Sequence, residues 1–219
     1  MTHFSDKDYQ ETKQIMLDKA IIKPEFKSLI KWISDAYGVK PINIYYDTTQ
    51  EGRPRLELIF KTRKESDFLN KNHSTYTNYD IHKQQRIAQK FEDILQEKNI
   101  TSYDTHRILI YTSDFIQKAK DEANASIDQK KLEEIQDEYN EIWLIQRLFS
   151  GVVFFVYTNK ELKSLKNSKQ QKLWTDRYFD LLQQQDIFKY FNKKTFKIAL
   201  DSKENFDQNY ESNWMYYFR

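Results

Sequence analysis

Three glycines in 219 residues constrain this chain more than any other feature. Soluble proteins average roughly 7% glycine, so about fifteen would be ordinary. Phosphate-cradling loops need several glycines close together, because backbone must approach the ligand or take positive φ. Gly38, Gly52 and Gly151 are scattered. Walker-type, dinucleotide-type and kinase-type loops are therefore absent in their usual form. The three prolines, Pro24, Pro41 and Pro54, crowd into the N-terminal quarter, and from Arg55 onward only Gly151 relieves the chain. Turns there must be made by Asn, Asp, Ser and Lys. No linker-like segment stands out, so the expectation is a single domain over residues 1–219. A helical pair at 5–38 would lead into a sheet-containing body at 42–219.

Hydrophobic residues make up only 39% of the chain, but 15 Tyr, 15 Phe and 4 Trp supply large buried areas per residue. Folding is expected rather than disorder. The formal net charge of +2 implies neither nucleic acid nor a membrane surface. The chain has no cysteine, which excludes disulfides, zinc–thiolate sites and cysteine nucleophiles; this fits a reducing cytoplasm and is also compatible with export. The first residues lack the basic start and apolar run of a secretory signal. The longest apolar run, residues 152–157, is far short of the roughly 20 residues a membrane span needs. A soluble cytoplasmic protein is expected.

Local patterns predict the order of elements. A helix capped by Ser5 runs from Asp6 to about Ile22. A second starts at Pro24, carries the stripe Phe26, Leu29, Ile30 and Ile33, and ends at Gly38. Residues 42–46 and 56–60, separated by a turn containing Gly52, read as a hairpin. Residues 62–79 read as a long polar loop, with room for a short helix around Phe68 and Leu69. A helix spans 81–98, a strand 107–111, and Asp114 caps the next helical region. Residues 118–149 read as one long helix or two. Residues 152–157 are apolar on both faces, which suits a central strand. Thr158 and Asn159 then cap a helical stretch over 160–186. A strand at 196–200 and a last strand at 214–218 complete the order. The class is α/β or α+β, with a mixed sheet of five to six strands flanked by helices.

Two stretches resemble each other. Lys83-Gln84-Gln85-Arg86-Ile87 matches Lys169-Gln170-Gln171-Lys172-Leu173, and Phe91–Gln96 matches Tyr178–Gln183 once one insertion is allowed. Each helix lies between two apolar strands, and each later strand ends in a Ser/Asp pair, after which a phenylalanine comes, Phe115 or Phe206. A β-α-β-cap unit used twice would produce this, as two similar halves.

Candidate chemistry is sparse. Asp47, Asp114 and Asp201 end predicted strands, where α/β sheets bind ligands. If they converge they form a catalytic candidate able to hold Mg²⁺ for nuclease or phosphotransfer chemistry; the simpler role is helix capping. Asp47, Glu57 and Lys61 loosely match a nuclease-like Asp…Glu…Lys order, but Glu57 and Lys61 are too far apart along a strand to be adjacent. No histidine pair has zinc spacing. His73, Tyr76, Tyr79 and His82 mark a polar-aromatic binding candidate. Lys163, Lys166, Lys169 and Trp174 mark another, within a stretch over 160–197 that holds ten basic and four acidic residues. Such a stretch suits phosphate backbones, although lysines three apart wind around a helix instead of sharing one face. These features together point to a non-catalytic interaction or regulatory (immunity-type) module whose partner is another protein, without cofactor or metal. A metal-dependent phosphate enzyme and a nucleic-acid binder are the alternatives.

Overall fold

A computed structural model describes residues 6–70 and 80–218 of the chain. The protein divides into two compact units, Met1–Lys118 and Ala119–Arg219. The boundary falls inside a helix, which is why no linker shows in the sequence.

The N-terminal unit opens with α1 (Lys7–Met16) and α2 (Pro24–Tyr37). Pro24 stands at the first turn of α2, where its missing N–H is harmless. Gly38 ends that helix at φ +69°, donating its N–H to the Ser34 carbonyl. Then come β1 (Asn43–Thr48), β2 (Pro54–Phe60), α3 (Arg63–Asn70), α4 (Ile81–Glu97) and β3 (Leu109–Asp114), and after them α5 (Phe115–Ala125), which crosses the boundary. β1 pairs antiparallel with β2, and β2 pairs parallel with β3. Alternation along β2 sends Leu56, Leu58 and Phe60 to one face. There they form a core with Phe26, Leu29, Ile30 and Ile33 of α2 and Ile87, Phe91, Ile94 and Leu95 of α4. Arg55, Glu57 and Ile59 point to the outer face.

The C-terminal unit continues with α6 (Gln129–Glu138), β4 (Ile142–Leu148), β5 (Gly151–Val156), α7 (Asn159–Leu165), α8 (Lys169–Gln185), β6 (Ala199–Ser202), α9 (Lys203–Tyr210) and α10 (Trp214–Tyr217). β4 pairs antiparallel with β5, and β5 parallel with β6. Val152, Phe154 and Val156 join Trp174, Tyr178, Leu181 and Leu182 of α8 in its core. Phe155 faces the other way, against Phe206, Trp214 and Tyr217. Both faces of β5 are thus covered, as its apolar run implies.

The α/β character holds, but the expected single sheet of five to six strands is replaced by two three-stranded mixed sheets. Local expectations change as well: α1 ends at Met16 rather than near Ile22, and the expected helix over 160–186 is broken at residues 166–168 into α7 and α8. Residues 118–149 are two helices and a strand: Asp128 restarts the chain as an N-cap accepting from the Lys130 N–H, and the apolar spacing that continued into Ile142 and Ile145 belongs to β4. The tail is the short helix α10, capped by Asn213, not a strand. Residues 63–70 of the expected polar loop form α3, whose capping box joins Thr62 and Glu65.

The two units repeat the same construction in hydrogen-bonding detail. The capping box Thr62–Glu65 recurs as Thr158–Glu161, in the same place after the central strand. The Ile116 N–H bonds the Lys61 carbonyl as the Glu204 N–H bonds that of Tyr157. The Gln84 amide donates to the Ile110 carbonyl at 3.1 Å, as the Gln171 amide does to Ile198 at 3.4 Å. Asp114 caps α5 through the Gln117 N–H, as Ser202 caps α9 through the Asn205 N–H. The paired helices match with Ile87, Phe91, Ile94 and Leu95 on Trp174, Tyr178, Leu181 and Leu182. Gln84 therefore corresponds to Gln171, one position from the match read in the sequence. Phe206 corresponds to Lys118, not to Phe115.

Candidate binding site

The outer face of the N-terminal sheet is built in rows by strand register. Nearest the hairpin lie Asp47, Arg55 and Leu109; next come Tyr45, Glu57 and Tyr111; then Asn43, Ile59 and Ser113. Helices cover the last row. The Asn43 amide donates to the Thr12 hydroxyl of α1 at 3.0 Å, and Tyr9 of α1 stacks on Phe115 of α5 with ring centroids 5.3 Å apart. Over the first two rows lies a cavity of about 890 Å³, lined by Asp8, Tyr45, Asp47, Arg55, Glu57 and Tyr111 among others.

Its floor is ionic. Lys118 of α5 bonds the Asp8 carboxylate of α1, and its ammonium lies 3.7 Å from Glu57. Asp8, Glu57 and Lys118 are 5%, 2% and 5% exposed. Burial, reinforced by the nearby Asp8 charge, pushes the Glu57 carboxyl above its ordinary range, against the pull of Ser113, Lys118 and Arg55. Nearer the hairpin, Arg55 forms a bidentate pair with Asp47 at 2.7 and 2.5 Å. That hydrogen bond outweighs burial and raises the guanidinium's already high pKa. The same guanidinium lies over the Tyr111 ring, 5.8 Å from its centroid. Tyr45 is raised chiefly by burial, then by Asp47. The charged groups are thus fixed by one another before any ligand arrives.

The residues singled out by sequence fall in different places. Asp47 is in the cavity, held by Arg55. Asp114 ends β3, five residues past Leu109, which shares the row of Asp47. At about 3.3 Å per residue the two stand roughly 17 Å apart along the sheet, because β1 runs opposite to β3. They do not converge. Asp201 accepts from the Asn205 amide and, at 2.7 Å, from the Tyr217 hydroxyl, pinning α9 and α10 within its own unit. Among the described residues, no three His, Asp or Glu side chains gather in a way that could hold a metal ion.

Lys163, Lys166 and Lys169 are exposed on α7, its C-cap and the start of α8. Trp174 is not beside them on the surface. It is fully buried, stacked on Phe154, because its position in α8 faces the sheet. The Tyr178 hydroxyl is likewise turned inward, donating to Asn124 at 2.6 Å. The basic stretch therefore lacks these two rings as stacking partners. His82 is exposed in the first turn of α4. His73, Tyr76 and Tyr79 lie outside the described residues.

Sequence reasoning missed Asp8, Tyr45, Arg55, Tyr111 and Lys118. Glu57 was noticed only beside Lys61, which is exposed beyond the strand end; the lysine that meets it is Lys118. One signal was present: a lone carboxylate inside Leu56-Glu57-Leu58-Ile59-Phe60. Comparison of the chain with protein-family models, curated proteins and solved structures returned no significant match.

Proposed function

We propose that the chain is a non-catalytic protein-interaction module, of regulatory or immunity type, which takes its partner on the outer sheet face of the N-terminal unit. The observation that carries this reading is the cavity of about 890 Å³ walled by Tyr45, Tyr111 and the Asp47–Arg55 pair. Tyrosine and arginine are the residues that interface hot spots favour, since both give large contact area with a polar tip. Here Asp47 and the Tyr111 ring hold Arg55 in place, so little side-chain entropy remains to be lost on docking. A cysteine-free chain needs no oxidising compartment, which supports a cytoplasmic setting. Among the described residues no helix is long and apolar enough to cross a membrane.

Affinity capture from native cytosol at moderate salt tests this, comparing wild type with an Arg55→Ala/Tyr111→Ala variant whose circular dichroism is unchanged. A partner retained by the wild type and lost by the variant is expected. No partner, or equal retention by both proteins, would count against the proposal.

A further inference from the structure

The repeated construction supplies an internal control for the cavity. Register and capping boxes match Glu57 to Val153, Tyr45 to Gln146, Asp47 to Leu148, Arg55 to Gly151 and Tyr111 to Ala199. The carbonyl contacts of Ile116 and Glu204 match Lys118 to Phe206. The C-terminal unit thus builds the same fold with no charge at any of these six positions. Burying ions costs several kcal/mol each before pairing returns any of it. The same topology can thus be built without a charged pair at the positions of Glu57 and Lys118.

Asp47 and Arg55 cancel, and Asp6 and Glu51 on the lining are matched by Lys7 and Arg53. On the floor two carboxylates face one ammonium, so among the described residues ionisation of both carboxylates leaves one negative charge for a ligand to balance. Glu57 lies in register between Tyr45 and Tyr111, so a group reaching it passes two aromatic rings. The Tyr111 ring already receives a guanidinium, that of Arg55. We propose that the cavity is the receptor for a basic side chain, arginine or lysine, presented by the protein partner, with Glu57 as its counter-charge and Tyr45 and Tyr111 as its walls. This rests on the interaction-module reading above and specifies its partner.

Glu57 is faced by Asp8 from α1, Lys118 from α5, Arg55 on its own strand, and Tyr45 and Tyr111 across the sheet. Burial raises its pKa, so an arriving cation, which favours the carboxylate, displaces a proton wherever Glu57 is protonated in the free protein. Binding should then strengthen as pH rises, by up to about tenfold per unit while Glu57 is protonated in the free protein.

The test is calorimetric titration of the full chain with N-acetyl-arginine amide and N-acetyl-lysine amide, with the neutral N-acetyl-citrulline amide as control, from pH 5 to pH 8. Binding of a cationic amide with Kd on the order of 1 mM or tighter is expected, strengthening with pH and absent for citrulline. Glu57→Gln should weaken it about tenfold or more and abolish the pH dependence, and Glu57→Val, which copies the other unit, should do the same with the fold intact. No binding of either cation, equal binding of citrulline, or unchanged affinity in Glu57→Gln overturns the proposal. If the captured partner is lost by Arg55→Ala/Tyr111→Ala but retained by Glu57→Gln, the basic-side-chain assignment falls and the module stands. If no partner is captured at all, the module reading falls, and with it the assignment of the cation to a partner.

Discussion

Replacing Lys118 by methionine isolates the energetics of the ionic floor. The side chains of Lys118, Asp8 and Glu57 are 7%, 7% and 3% exposed, so water can do little to compensate a lost partner. At an effective dielectric of about 20, unit charges 3.7 Å apart interact by roughly 4 kcal/mol. Removing one partner of a buried pair typically costs about 3–5 kcal/mol. With a urea slope of about 2 kcal/mol per molar, the unfolding midpoint should fall by roughly 2 M. The pH dependence arises from Glu57. Its native pKa is already raised, and losing the ammonium raises it further. Between the unfolded and native values the native state binds more protons, so stability grows as pH falls through that window. The deficit at pH 7 should therefore shrink at pH 5. Urea unfolding by circular dichroism at both pH values, with amide exchange of β2 reporting the N-terminal unit, measures this. The combined Asp8→Asn/Glu57→Val/Lys118→Met variant should return to within about 1 kcal/mol of wild type or exceed it, as replaced ion pairs often do. A single-variant loss below about 1 kcal/mol, or a loss independent of pH, would refute the shared-charge account.

Two further outcomes concern the fold. Asn124, 1% exposed, donates to the Phe149 and Gly151 carbonyls at 2.7 and 2.9 Å and accepts from Tyr178, so Asn124→Ala should cost about 3 kcal/mol in thermal unfolding; a loss under about 0.5 kcal/mol would show that this junction is not structural. Thr62→Ala and Thr158→Ala should each cost about 1 kcal/mol, because the two capping boxes make the same bonds; costs differing by more than about 1 kcal/mol would show that the boxes are not energetically equivalent.

Much of the local structure was legible because its signals are local. Pro24 and Gly38 bracket α2, Gly52 sits at φ +79° in the hairpin turn, and Thr158 announces α7. Helical spacing identified α4, and continuous apolarity identified β5. The failures share one cause: a short apolar run does not state its own period. Ile142 and Ile145 continue the spacing of α6 yet pair with β5, and residues 214–217 are rich enough in aromatics for a strand yet coil into α10. The repeat was visible only to within one residue, since Lys/Gln-rich surfaces carry little positional information; the buried face of α8 fixes the match. The site was harder still. Asp8, Glu57 and Lys118 span 110 positions of sequence, and only the pairing of three strands with two helices brings them together. An acidic residue in the first turn of a helix reads as a dipole partner, and a lysine in a charged helix reads as surface.

The two units differ most where the fold demands least. Their cores use the same positions and the same apolar chemistry, and their caps and carbonyl contacts coincide. On the outer faces the solutions diverge. The C-terminal unit packs Phe155, Phe206, Trp214 and Tyr217 together, a cluster indifferent to pH near neutrality and favourable without geometric tuning. The N-terminal unit places a buried ionic triad there, whose contribution to stability varies with pH and with the alignment of its members. Physical chemistry alone favours the first arrangement, and the same chain shows that the first is attainable on this topology. The topology therefore does not impose the ionic triad, and under the proposal above a basic side chain entering the cavity would complete its charge.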